Sequence, residues 1–288
     1  HKQILNNINL NIPKGSIYGI IGENGAGKTT LIRHLVGVYQ GDTGFVELDG
    51  MRVDENPEAK ARMVYIPDEF FDVFGRNIND IKTLYQGIYP NFDEIRYLTL
   101  MKMFKYTGRE NFSKFSKGMK KQVMFILALS ITPDYLIMDE PFDGLDPHIR
   151  KVIWDILIKD VSEREMTIFI SSHHLDELDS MCDHIALISK GKIVFGESLE
   201  KLKEGYHKLQ VVLENGDEMY ALEQELNVLS HQMMGRVHTL IIVGNIEKIN
   251  KTVAKYHPII SEVLPLSLED IFLYTLGGKY DELKEVMG

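Results

Sequence analysis

Gly22-Glu23-Asn24-Gly25-Ala26-Gly27-Lys28-Thr29-Thr30 has the form G-x-x-x-x-G-K-[ST], and its setting decides how the rest of the chain is read. It follows an apolar run, residues 17–21, that reads as a buried strand. It opens a stretch, residues 29–38, with helical periodicity. Strand, glycine-rich loop and helix in that order are what a phosphate-binding loop requires. Glycines let the backbone curl so that successive N–H groups, here over Asn24, Gly25, Ala26 and Gly27, converge on a polyphosphate. The helix N-terminus, at Thr29 and Thr30, adds the positive end of a dipole. Lys28 can neutralise β- and γ-phosphates, and the Thr29 hydroxyl can complete a Mg²⁺ shell. The competing explanation, a glycine-rich turn of coincidental form, does not account for the flanking strand and helix.

The composition fits one large domain plus a smaller one. The 288 residues are 44% hydrophobic, enough for a real core. The net charge of -10 argues against nucleic acid as a partner. Cys182 is the one cysteine, so no intrachain disulfide can form, which suits a reducing compartment. No segment approaches the roughly 18–20 apolar residues that cross a bilayer. No signal-peptide pattern opens the chain, so a membrane role is expected to come through a partner. The chain begins at His1 rather than Met, and a few native residues are expected before it.

Along the chain, residues 4–12 alternate apolar and polar and read as a strand with one wet face. Residues 45–48 read as a strand followed by a hairpin turn at Asp49-Gly50, and residues 62–67 as another short strand. From residue 69 the pattern turns helical. Residues 79–89 and 93–106 have helical spacing, broken at Pro90-Asn91-Phe92, and residues 117–131 form a further helix. Strands at 135–138, 166–171 and 185–189 then alternate with helices at 148–164 and 174–181. Such alternation implies an α/β fold with a parallel, helix-covered sheet, whose ligands bind at the carboxyl ends of the strands. Beyond Gly205 the texture shifts. Strands at 207–213, 228–234 and 237–243 and a helix at 246–255 suggest a small α+β domain over 206–288.

The chemistry gathers at those strand ends. The run Tyr135 to Met138 delivers two adjacent carboxylates, Asp139 and Glu140. One can serve a Mg²⁺ shell while the other polarises a water, although two acids after a strand can also be a solvated turn. Ser116-Lys117-Gly118 stands at a helix start, where serine is also an ordinary cap. Asp143-Gly144-Leu145-Asp146-Pro147 follows the acidic pair, and Ser172-His173-His174 follows the next strand. A histidine at a strand end is commonly structural, but this strand carries it to the edge where phosphate should sit.

The order of these five motifs resembles the ATP-binding cassette (ABC) ATPase family over residues 1 to about 205. The resemblance implies a P-loop NTPase fold with a RecA-like parallel sheet. It adds an antiparallel β subdomain and a helical subdomain at about 69–132 to a nucleotide-binding domain over 1–205. It implies Mg²⁺ and ATP as cofactors, with each ATP clamped between the phosphate loop of one cassette and the signature helix of another. Ser116 and Gly118 would then reach the partner's ATP, and Asp146 would link the two sites. Asp139 would hold Mg²⁺ through water, Glu140 would act as general base, and His173 would sense the γ-phosphate. His173 is preferred to His174 because the family places an apolar residue two positions after this histidine, as Leu175 does here.

Three positions depart from the family pattern. Lys117 replaces a glycine and Met119 a glutamine, which weakens a ribose contact there. Asp68 stands where a glutamine is usual. Its carboxylate could order a Mg²⁺-bound water or act at the joint with a membrane partner. The aromatic residue that stacks on adenine would fall before His1. Tyr89-Pro90-Asn91-Phe92-Asp93, the Ser116-Lys117-Gly118 signature and Ser267-Leu268-Glu269-Asp270-Ile271-Phe272 resemble bacterial exporters with a separate ATPase chain. That subgroup moves antimicrobial or amphipathic peptides and toxic compounds, and includes exporters of phenol-soluble modulins. The implied partners are membrane-spanning permease subunits and a second cassette, identical or paralogous, at the cytoplasmic face of the cell membrane. Closure would act on permease subunits docked beside residues 69–116. A soluble ATPase of this family and a regulatory module without transport are the alternatives. Residues 206–288 could supply a second dimer contact, a regulatory domain or packing alone.

Overall fold

The computed structural model describes residues 3–69 and 77–275. Residues 70–76 of the expected helical insertion and 276–288 of the expected C-terminal domain lie outside that range, as does the side chain of Phe272. The chain divides into two compact units, residues 1–173 with 182–196, and residues 174–181 with 197–288.

In the first unit, β1 (Ile17–Ile21) is buried at every position. An uninterrupted apolar run is what a parallel strand covered on both faces requires. After it come α1 (Lys28–Leu35), the short strands β2 (Glu47–Leu48) and β3 (Met51–Arg52), α2 (Pro57–Ala61) and β4 (Met63–Ile66). Asp49 and Gly50 join β2 to β3 with φ of 49 and 79, the left-handed pair of a type I′ hairpin. Next come α3 (Ile78–Ile88), α4 (Glu94–Met103), α5 (Lys117–Ser130), β5 (Tyr135–Asp139), α6 (Pro147–Arg164) and β6 (Thr167–Ser172). In chain order α7 (Leu175–Met181), which belongs to the second unit, comes next, and then β7 (His184–Ser189) and β8 (Lys192–Ser198).

The strands form one six-stranded sheet in the order β4-β5-β6-β1-β7-β8, with β4 through β7 parallel. On one face Ile32 of α1 packs with Ile20, Ile137, Phe169 and Ile188. Phe142 stacks on Phe125 of α5 at 5.9 Å and meets Trp154 of α6 edge-on at 6.1 Å. Each helix of the insertion carries its own start signal. Asn77 and Asp80 make a reciprocal capping box on α3, Asp93 caps α4 and Ser116 caps α5. Arg96 of α4 reaches the buried Asp160 of α6 at 2.5 Å.

Residues 4–12 are not a strand. The alternation is real, since Leu5, Ile8, Leu10 and Ile12 pack against the sheet's core cluster, but no ladder forms along them. The segment is held instead at Gly191, whose carbonyl accepts from the Asn6 amide at 2.8 Å. Gly191 has φ 75, and a Cβ there would run into the Ile4 carbonyl. Alternation reports a buried face, and pairing needs a neighbour that this stretch lacks.

The second unit contains α7, α8 (Leu199–Lys203), β9 (Tyr206–Leu213), α9 (Met219–Glu225), β10 (Val228–Met234), β11 (Val237–Val243), α10 (Ile246–Ala254), β12 (Pro258–Leu264) and α11 (Leu268–Thr275). Its four-stranded antiparallel sheet runs β10-β11-β9-β12. Leu209, Val211, Leu240 and Ile242 pack there against Leu222 of α9 and Ile249 and Val253 of α10. Among the described residues, no helix is long and apolar enough to cross a membrane.

Asp270 ties α11 to β9, with Oδ2 at 3.0 Å from Lys208 Nζ and 2.9 Å from Ser267 Oγ. Burial pushes its carboxyl up, but Lys208 and Ser267 outweigh this and hold it below the usual carboxylate range. A value lower folded than unfolded adds stability above about pH 4 that is lost as pH falls through the folded value. Asp270→Asn is expected to lose about 1–3 kcal/mol at neutral pH. In thermal unfolding, the gap to the parent should close on acidification. A gap unchanged down to the acid limb would contradict the charge pairing.

Candidate functional site

Strand register builds the site before any side chain is considered. Asp139 of β5 pairs with Ser171 of β6, and Ser171 pairs with Ile20 of β1. Ile21 and Ser172 form the last pair of the β1–β6 ladder, Glu140 follows β5 at the same level, and Gly22 begins the phosphate loop at that edge. Asp139 is buried. Ser171 Oγ donates to Asp139 Oδ1 at 2.6 Å and accepts from the Glu140 amide at 3.0 Å.

The loop closes tightly against the sheet. A Cβ at Gly22 would collide with the Ile188 carbonyl, while Gly25 and Gly27 take φ of 83 and 113 that other residues resist. Gly27 is the N-cap of α1 and offers no side chain, so the first helical amides keep their donors for the loop side. Asn24 and Gly25 are exposed, Ala26 and Lys28 buried, Thr29 and Thr30 half-buried. Lys28 Nζ donates to the Gly22 carbonyl at 2.5 Å and stands 3.3 Å from Glu140 Oε1. The other carboxylate oxygen, Glu140 Oε2, is 2.9 Å from His173 Nδ1. Lys28 and His173 thus meet the two oxygens of one carboxylate, that of Glu140, with Asp139 anchored beside it. Glu140 itself has φ 43, a left-handed conformation that a non-glycine residue adopts only at a cost.

The remaining motif residues make other contacts. Ser116 Oγ accepts from the Met119 amide at 3.2 Å. Gly118 is buried where a Cβ would run into the Gly144 carbonyl, so the signature helix and the Asp143 to Asp146 turn touch backbone to backbone. Asp146 caps α6 by accepting from the His148 amide at 2.9 Å, with Pro147 at the first helical position. Asp68, one of the Mg²⁺ candidates in the sequence, meets two ammonium groups, Lys117 Nζ at 2.8 Å and Lys121 Nζ at 3.2 Å. Burial pushes the Asp68 carboxyl up, but the two lysines prevail and hold it below its ordinary value. Burial also drives the Lys121 ammonium below the usual lysine value, against the pull of Asp68. Sequence reasoning passed over Lys121 and Ser171. The i,i+4 spacing of Lys117 and Lys121 put both on one helix face, but their acid partner lies on another element.

The family profile described as ABC transporter matches residues 5–143. The chain is 29% identical over 279 residues to the ABC transporter ATP-binding protein YtrB of Bacillus subtilis (strain 168), spanning 96% of this chain and 94% of that protein. It is 30% identical over 286 residues to the bacitracin transport ATP-binding protein BcrA of Bacillus licheniformis, spanning 95% and 92%. A solved ATP-binding subunit of an ABC transporter superposes with TM-score 0.63 at 26% identity, over 69% of this chain and 85% of the other. The chain belongs to the ABC transporter family of ATP-binding proteins. It is an ATP-binding ATPase subunit with a P-loop NTPase fold.

Gly118→Ala is expected to cost about 1–3 kcal/mol, the usual range for forcing an extra methyl group into a packed position. A thermal unfolding midpoint equal to the parent's would contradict the close backbone approach of Gly118 to Gly144.

Proposed function

We propose that this chain is the ATP-hydrolysing subunit of a bacterial exporter. It dimerises on Mg-ATP with a second copy or a paralogous cassette and drives transport through separate membrane-spanning permease subunits. It is thereby held at the cytoplasmic face of the membrane. The name of the bacitracin transport relative supports peptides or toxic amphipathic compounds as cargo. The nucleotide-binding domain spans 1–205 and the accessory domain 206–288.

One observation carries the reading: Glu140 lies between Lys28 and His173 at the mouth of the phosphate loop. The amides of Asn24 to Thr30 wrap the phosphates, and Lys28 turns its ammonium from the Glu140 carboxylate toward the β- and γ-phosphates. Glu140, so released, takes the proton of the attacking water, whose oxygen forms the new P–O bond as ADP leaves. His173 holds the γ-phosphate oxygen. Thr29 Oγ1 and Asp139 form an all-oxygen donor set that suits Mg²⁺, a hard cation that keeps most of its waters. Bound there, it would neutralise charge on the departing phosphates. The lysine contacts of Asp68 support an anchoring role for it in place of metal ligation. Ser116 and Gly118 face the ATP of the opposing cassette, and Asp146 carries the link between the two sites.

Glu140→Gln is expected to keep ATP binding and to slow turnover about 10²–10⁴-fold. Steady-state hydrolysis near the parental rate would remove Glu140 as the base. Lys28→Ala should weaken ATP binding itself. An unchanged affinity in a titration with a fluorescent ATP analogue would count against the loop assignment.

A further inference from the structure

The first turns of α5 and Asp68, two residues past β4, form a charge cluster that the hydrolysis scheme leaves unused. Lys121 is 0% exposed. A buried ammonium is costly unless a counter-charge and hydrogen bonds satisfy it. Both are present. Its Nζ lies 3.2 Å from Asp68 Oδ1 and donates to the Glu140 carbonyl oxygen. The same Asp68 oxygen meets Lys117 Nζ at 2.8 Å, and Lys117 sits between Ser116 and Gly118.

The Glu140 backbone is therefore fixed from both sides. Its amide donates to Ser171 Oγ at 3.0 Å. Its carbonyl accepts the charged Lys121 bond and a longer one, 3.4 Å, from the Asp143 amide. A hydrogen bond from a charged donor is roughly twice as strong as a neutral one, so Lys121 dominates the carbonyl side. Between the two anchors lies the left-handed φ of 43, a conformation that persists only where the surroundings over-determine it. That conformation aims the carboxylate at Lys28 and His173.

We propose that Lys121 is a positioning residue for Glu140, with Asp68 as its counter-charge. The pair fixes the backbone that aims the Glu140 carboxylate and ties it to the helix start bearing Ser116. The proposal rests on Glu140 as general base. The polar partners of Lys121 are Asp68 and the Glu140 carbonyl and not the phosphate-loop residues assigned to ATP binding, so its loss is read in kcat and not in KM.

The test is a cycle of variants of the full chain, each measured for thermal midpoint and for kcat and KM with Mg-ATP. Lys121→Met is expected to lower kcat about 10–100-fold, the scale of a small misplacement of a catalytic group, with KM little changed. Asp68→Asn, which leaves a buried ammonium without its carboxylate, should lower both midpoint and kcat. Asp68→Asn combined with Lys121→Met should regain thermal stability over Asp68→Asn alone while kcat stays at the Lys121→Met level. Lys121→Gln, able to donate to the carbonyl without charge, should recover part of kcat. A double variant turning over at the parental rate would show that the pair only satisfies its own burial, and would overturn the proposal. So would a Lys121→Met that raises KM and spares kcat. If Lys121→Met does not fold, Lys121→Gln alone and with Asp68→Asn gives the same comparison. Glu140→Gln separates the two readings. If it turns over normally, the general base falls and this proposal with it. If it is slow while Lys121→Met is not, the base stands and the positioning role falls.

Discussion

The parallel register of β5 with β6, and of β6 with β1, is the constraint on which the site depends. It sets Asp139, Ser171 and Ile20 in one row at the carboxyl edge of the sheet. Glu140 and the phosphate loop then have nowhere else to emerge. A slip of one residue would turn Asp139 to the opposite face and break its bond with Ser171. Burial of β1, β5 and β6 on both faces holds that register. The same packing that makes the core therefore aligns the chemistry, with no separate device needed to gather residues from distant parts of the chain.

Buried charge does the rest. Lys28, Lys121 and Asp139 are all withdrawn from water, and each is met by a partner. Removing one member of a buried ion pair such as Lys28–Glu140 costs about 3–5 kcal/mol, because the other is left uncompensated. Each of these groups is thus confined to the position where its partner stands, and Glu140 is reached from several directions at once. Lys28 engages one carboxylate oxygen, His173 the other, Ser171 the amide and Lys121 the carbonyl. Such a group is poised to change partners when a competing anion enters the loop. In the proposed mechanism the phosphates of ATP are that anion, which gives the loop a physical reason to release Glu140 when substrate binds.

The sheet and the loop were legible because their signals are local. An apolar run between glycine turns marks a buried strand, and the phosphate loop is contiguous. The strands over residues 228–234 and 237–243 were readable for the same reason, with Gly235 turning between them. Residues 4–12 misled because alternation records a buried face and does not reveal whether a neighbouring strand exists. The strand β12 was missed because it lies at a sheet edge and exposes Ile259, Ile260 and Val263, so no clean alternation survives. Asp68 was ambiguous for a different reason. Its character is set by Lys121, 53 residues away, and Lys117. A sequence shows that two lysines share a helix face but not which acid the fold brings to them. Glu140 was found as an acid by its place after a strand, while its left-handed backbone and the groups that hold it appear only in three dimensions.

In the proposed cycle one chain supplies Lys28, Glu140 and His173 while a second cassette supplies Ser116 and Gly118. Light scattering on Glu140→Gln, with Mg-ATP and separately with ADP, reads that division of labour. A dimer is expected with ATP and a monomer with ADP. A protein that stays monomeric at saturating ATP, or dimerises equally with ADP, would contradict it.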